Sequence, residues 1–182
     1  ISYRDQSNFN LKYATIATTG PCVSTTLIDR SGNGNTGTLV GNPNCGEEGY
    51  YGDAIGFDGV DDYVSIAAGD WQDSPTASVG YHVNLDSLPI PGSPSYPASV
   101  GFKSTIGSPS AFTGDHGISL GITETGNVEC QVSGNATLLT TNLSIDTGVW
   151  YHLLCTWDGQ VLNLYVNGSH SHTYSHSSSF AL

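Results

Sequence analysis

Sixteen carboxylates against four cations mean that any chemistry in this 182-residue chain belongs to acids and oxygen ligands. Asp29, Asn33 and Asn35 place side-chain oxygens along one Gly-rich run, Asp-Arg-Ser-Gly-Asn-Gly-Asn. Asp58, Asp61 and Asp62 add carboxylates in a second turn. Hard cations such as Ca²⁺ take six to eight oxygens, so these runs are the candidate metal site. Asp29, Asn33, Asn35 and Asp61 are its preferred ligands. The competing reading is conformational, because Asn-Gly and Asp-Gly also supply the positive φ that tight turns need.

Catalytic groupings are sparse. His82, His116 and His152 occur among many serines, yet no Gly-x-Ser-x-Gly elbow accompanies them. Glu47 and Glu48 point to opposite sides if extended, and they sit in a Gly-rich stretch read as a loop. His170, His172 and His176 would share a strand face able to hold a borderline metal, but a solvated Ser/His tail is the simpler reading. Tyr50, Tyr51, Trp71, Tyr96 and Phe112 fall in expected loops. Exposed rings there would stack on sugars; packed rings would form satellite clusters under the loops.

The elements that must position these residues are short strands. Glycine is 23 of 182 residues and methionine is absent. Apolar residues recur at every second position between Gly/Asn/Asp/Pro/Ser clusters, the pattern of half-buried strands. Strands are expected near 9–17 (Phe9, Leu11, Tyr13), at 38–40, at 63–66, along Val79-Tyr81-Val83-Leu85, and along Ile118-Leu120-Ile122. Val128-Cys130-Val132 continues from a Gly126-Asn127 turn. Tyr151-Leu153-Cys155-Trp157 and Leu162-Leu164-Val166 flank Asp158-Gly159 as a hairpin. Five prolines within 86–110 point to one long rim loop, because proline removes ladder donors. The length suits one domain.

Two motifs and one hairpin carry a resemblance. Residues 29–39, Asp-Arg-Ser-Gly-Asn-Gly-Asn-Thr-Gly-Thr-Leu, precede Phe57-Asp58-Gly59-Val60-Asp61-Asp62-Tyr63-Val64-Ser65-Ile66. The hairpin ends in Tyr165-Val166-Asn167-Gly168. Together they resemble the laminin G-like, concanavalin A-like jelly-roll modules over 27–40, 55–88 and 141–168. The resemblance implies an all-β antiparallel sandwich spanning 29–182, preceded by an N-terminal extension, 1–28. It also implies Ca²⁺ at the sandwich rim, as some members hold. The paired-carboxylate strand pattern of the related glucanases does not occur here, so an enzyme is not expected. Members continue past the hairpin with further strands. Here the last strands are expected to be lacking, and residues 1–17 to complete the sandwich, either within the chain or in a neighbouring subunit.

Composition bounds the partners. The formal charge of −12 cannot neutralise phosphates, which excludes nucleic acid, and no apolar run has membrane length. Cys22, Cys45, Cys130 and Cys155 lack any C-x-x-C spacing, which argues for disulfides over zinc. Cys130 and Cys155 fall in phase with inward residues of neighbouring strands and are expected to bridge, with Cys22 joined to Cys45. Sequons stand at Asn135, Asn142 and Asn167, with Asn142 expected in a loop before the Trp150 strand and Asn167 at the end of the hairpin strand. Paired cysteines and sequons point to a secreted or cell-surface glycoprotein, and the start at Ile1 is read as a mature segment. Two function classes remain. One is a structural or adhesive module that self-associates, even into a filament by strand addition. The other is a Ca²⁺-dependent glycan-binding module.

Overall fold

The computed structural model describes residues 20–67, 76–89, 100–103, 117–133 and 137–175. The strand expected near 9–17 lies outside them, as do His116, Asn135, His176, Trp71, Tyr96 and Phe112. Two compact units form, Ile1–Ala68 and Gly69–Leu182. Among the described residues every ladder is antiparallel.

In the first unit the strands are β1 (Gly20–Pro21), β2 (Thr26–Leu27), β3 (Gly37–Val40), β4 (Asn44–Glu48), β5 (Asp53–Gly56) and β6 (Tyr63–Ile66). They make two three-stranded sheets, ordered β1-β4-β5 and β2-β3-β6. Leu27, Leu39 and Cys45 are the buried centre, with Cys22, Ile55 and Val64 against them. So small a core supplies little hydrophobic free energy, and the Cys22–Cys45 bridge (Cα–Cα 4.9 Å) staples it. Glu47 and Glu48 belong to strand β4, not to the loop expected from their glycines. Gly46, at φ +78°, lies at a bulge between Cys45 and Glu47, a position glycine fills without strain.

The second unit holds β7 (Ala77–Val83), β8 (Val100–Lys103), β9 (Gly117–Ile122), β10 (Asn127–Ser133), β11 (Thr137–Ser144), β12 (Tyr151–Trp157), β13 (Val161–Val166) and β14 (Ser169–Ser175). Its two four-stranded sheets run β11-β10-β9-β8 and β14-β13-β12-β7. Side chains at every second position point inward. Ile118, Leu120, Ile122, Val128, Cys130 and Val132 come from one sheet; Ala77, Val79, Leu153, Cys155, Trp157, Leu162 and Leu164 come from the other. All are buried, which makes this unit an antiparallel β-sandwich. Cys130 bridges Cys155 across the core, Cα–Cα 6.1 Å. These strands are therefore not ladder neighbours, as the sequence reading had them, but members of facing sheets.

Three further elements depart from expectation. Val100–Lys103 is a strand on the β9 edge inside the stretch read as a continuous rim loop; these four residues contain no proline. The Ser/His run, read as a solvated tail, is strand β14. Asn167 and Gly168, at φ +52° and +76°, make the two-residue turn that folds it back onto β13. Asn142, placed by sequence in a loop, lies within β11.

Candidate functional site

The acidic turn between β5 and β6 is built by its own carboxylates. Asp58 Oδ1 accepts the N–H groups of Val60 (2.8 Å) and Asp61 (3.3 Å), while Gly59 turns the chain at φ +74°. Asp62 Oδ2 accepts the N–H of Asp58 (3.0 Å), and its Oδ1 accepts the N–H of Asn42 (2.6 Å) in the β3–β4 turn. The N–H of Val60, with those of Asp61 and Asp62, holds the Asp58 carboxyl below its ordinary pKa against a smaller opposing effect of burial. Carboxylate oxygens of Asp58, Asp61 and Asp62 lie within 4.8 Å of one another. Such a cluster offers hard, oxygen-only ligation, and the backbone amides of Asp58 and Asn42 already bond the two Asp62 oxygens.

Asp29 is used differently. Its Oδ1 accepts the Ser31 N–H (2.7 Å), and its Oδ2 accepts the Ser31 hydroxyl (2.8 Å) and the Asn35 N–H (2.8 Å). Burial pushes its pKa up, but the hydrogen bonds from Ser31, Asn35 and Asn33 outweigh that and leave it lowered. The Asn33 N–H donates to Ser31 Oγ (3.2 Å). Asn33 and Asn35 both contribute backbone N–H groups to this loop. The structure groups Asp61 with Asp58 and Asp62, not with Asp29.

Beyond the acidic turn, Glu48 and Asp53 stand directly opposite one another on β4 and β5. The hairpin they flank carries Tyr50 and Tyr51 at its tip, exposed, with ring centroids 4.6 Å apart and edge to face. Sequence reasoning listed both tyrosines but missed Asp53, whose strand holds no strong alternation.

His82, His152 and His170 sort onto the outer face of the β14-β13-β12-β7 sheet, whereas His172 stands opposite the inward Leu164, because the bulge between Leu164 and Tyr165 breaks the shared face expected for His170 and His172. His82 and His152 are cross-strand partners with ring centroids 4.6 Å apart. Burial lowers the pKa of both, and His152 adds repulsion at His82. His170 Nε2 meets Thr173 Oγ1 at 2.7 Å, and Thr173 Oγ1 donates to Asn163 Oδ1 at 2.7 Å. His172 Nδ1 meets Ser171 Oγ at 2.9 Å. The run at 170–172 is thereby tied into its own strand.

Among the described residues the second unit is a disulfide-bridged antiparallel sandwich of two four-stranded sheets, the architecture of jelly-roll and lectin-like modules. The chain belongs to the concanavalin A-like lectin/glucanases superfamily, whose model matches residues 57–181. No curated protein matches the chain. Among solved structures it is similar to an S-layer domain-containing protein (residues 221–444) from Clostridium thermocellum, at 21% identity and a TM-score of 0.44. That match covers 90% of this chain and 74% of the other.

Proposed function

We propose that this chain is a non-enzymatic structural or adhesive module that works outside the cell and self-associates by strand addition. One observation carries the assembly: in residues 1–17 Phe9, Leu11 and Tyr13 alternate with Asn10 and Lys12, the pattern a donated strand requires. Head-to-tail donation that does not close builds a filament. The two disulfides support an oxidising, extracellular setting.

Deleting residues 1–14 tests the assembly. Under donation the shortened protein stays folded and no longer polymerises by itself, yet it caps filaments of intact subunits. Undiminished polymerisation of the shortened chain, followed by electron microscopy, rejects it.

A second reading is a Ca²⁺-dependent glycan-binding module. The Asp58-Asp61-Asp62 cluster and the exposed Tyr50–Tyr51 tip favour it. A cation bound only by the folded state raises the melting temperature with its concentration. Superimposable melts in calcium and in chelator reject this reading.

A further inference from the structure

We propose that His82 and His152 form a binding site for a borderline divalent cation, of the zinc, nickel or copper class, on the outer face of the β14-β13-β12-β7 sheet. The register places the two residues directly opposite on β7 and β12, so both imidazoles leave the same face of the sheet. Inward neighbours confirm the phase: Leu153 is fully buried beneath His152 and stands opposite Tyr81, the residue before His82. Imidazole nitrogen suits zinc, copper and nickel, whereas calcium and magnesium prefer oxygen. Two ring nitrogens each about 2.0–2.1 Å from one cation, at tetrahedral or octahedral angles, set their ring centres roughly 4.5–5 Å apart. The observed centroids are 4.6 Å apart. The rings are tilted 40° to one another, and rotation about their side-chain torsions brings one nitrogen of each to a shared cation.

The surroundings hold the pair in place. The His152 N–H donates to Asn167 Oδ1 (2.9 Å), and the Asn167 N–H donates back to His152 O (2.8 Å), fixing the start of β12 against the β13–β14 turn. In the next outward row Leu154 lies over Gly80, where a Cβ would come 3.1 Å from Leu154 Cδ1. That apolar cover shields one side of the pair from water and strengthens ligation. Water completes the shell, because two nitrogens leave positions open. The site is separate from the acidic turn by chemistry, nitrogen against oxygen, and does not depend on the module's assembly.

The test uses the full chain, stripped with chelator and kept at pH 7.5. Zn²⁺ alone is titrated calorimetrically into wild type, H82N, H152N and the double variant H170N/H172N. About one equivalent binds wild type and H170N/H172N equally, and binds at least about tenfold more weakly to either single variant, as loss of one of two nitrogen ligands requires. In parallel, substoichiometric Cu²⁺ broadens backbone amide resonances of wild type around positions 80–83 and 151–154, a readout that does not depend on any variant folding. Absence of binding, equal affinity of H82N and H152N with wild type, or broadening centred on β14 overturns the proposal.

Discussion

Cys130 and Cys155 join the two sheets of the sandwich through its interior, β10 to β12, with both residues fully buried. The bridge closes a loop across 25 residues of separation and constrains the unfolded chain far more than the folded one. Replacing both cysteines with alanine is expected to lower stability by about 3 kcal/mol in the chain-entropy picture, with the loss of two buried sulfur side chains adding to it. Denaturant unfolding of the double variant measures the loss. A midpoint within error of wild type would show that the bridge does not form.

Gly41 makes a second sharp case. Its φ is +84°, and an added Cβ would run into the Asp62 carboxylate and stand 2.9 Å from Asp62 Cα. Gly41→Ala therefore meets two costs, a left-handed backbone of about 1–2 kcal/mol and a collision that breaks the Asp62–Asn42 hydrogen bond. Gly52→Ala is the control, since Gly52 also has positive φ (+68°) but nothing within 4 Å. Gly41→Ala should destabilise by about 2–4 kcal/mol, and Gly52→Ala by only the backbone share, about 1 kcal/mol. Equal losses would refute the packing role of Gly41.

Much of this architecture was legible because period-2 alternation is a strong signal where one strand face is buried. Tyr63–Ile66 and Tyr151–Trp157 coincide with observed strands for that reason. β8 and β14 were hidden. Val100–Lys103 is four residues in a Pro/Ser-rich setting, and Ser169–Ser175 is so polar that composition argued for solvent. The signal for β14 was present in Asn167-Gly168, the two-residue hairpin turn, and was read there only as the end of a motif and a sequon. Among the site residues, sequence places Asp58, Asp61 and Asp62 in one turn, as the structure does, but not their long-range partners. Only the fold brings Asp62 to the turn at Asn42, twenty residues away, and pairs His82 with His152, seventy apart.

Asp29 sets a pH dependence. Its carboxyl pKa is lowered from 3.8 on folding, so the folded state favours the ionised form. Stability from this group is complete above the unfolded pKa and is lost as pH falls through the folded one. Asp29→Asn keeps the shape, weakens the acceptors for Ser31 and Asn35, and is expected to cost about 1 kcal/mol or less at pH 7, because the carboxylate is near solvent. The difference between the variant and wild type should shrink as pH falls below 3.8 and through the lowered folded pKa. Melts of both proteins from pH 2.5 to 7 measure it; parallel curves across that range would contradict the assigned role.

Asn167 and Asn142 should differ as glycan acceptors, although both sit in sequons. Asn167 is exposed on the β13–β14 turn, and its Oδ1 takes the His152 N–H, a bond that does not use the amide nitrogen to which a glycan is joined. Asn142 lies within β11 at the register shift between the Ser144–Asn127 and Thr140–Glu129 pairs, so paired strand flanks it on both sides. An acceptor held between two paired stretches is less accessible than a turn residue that already projects into water. Expressed through a eukaryotic secretory pathway, the protein should carry high occupancy at Asn167 and lower occupancy at Asn142. Intact-glycopeptide mass spectrometry reads both sites at once. Full occupancy at Asn142 with Asn167 bare would invert the order and show that strand pairing does not govern acceptor use here.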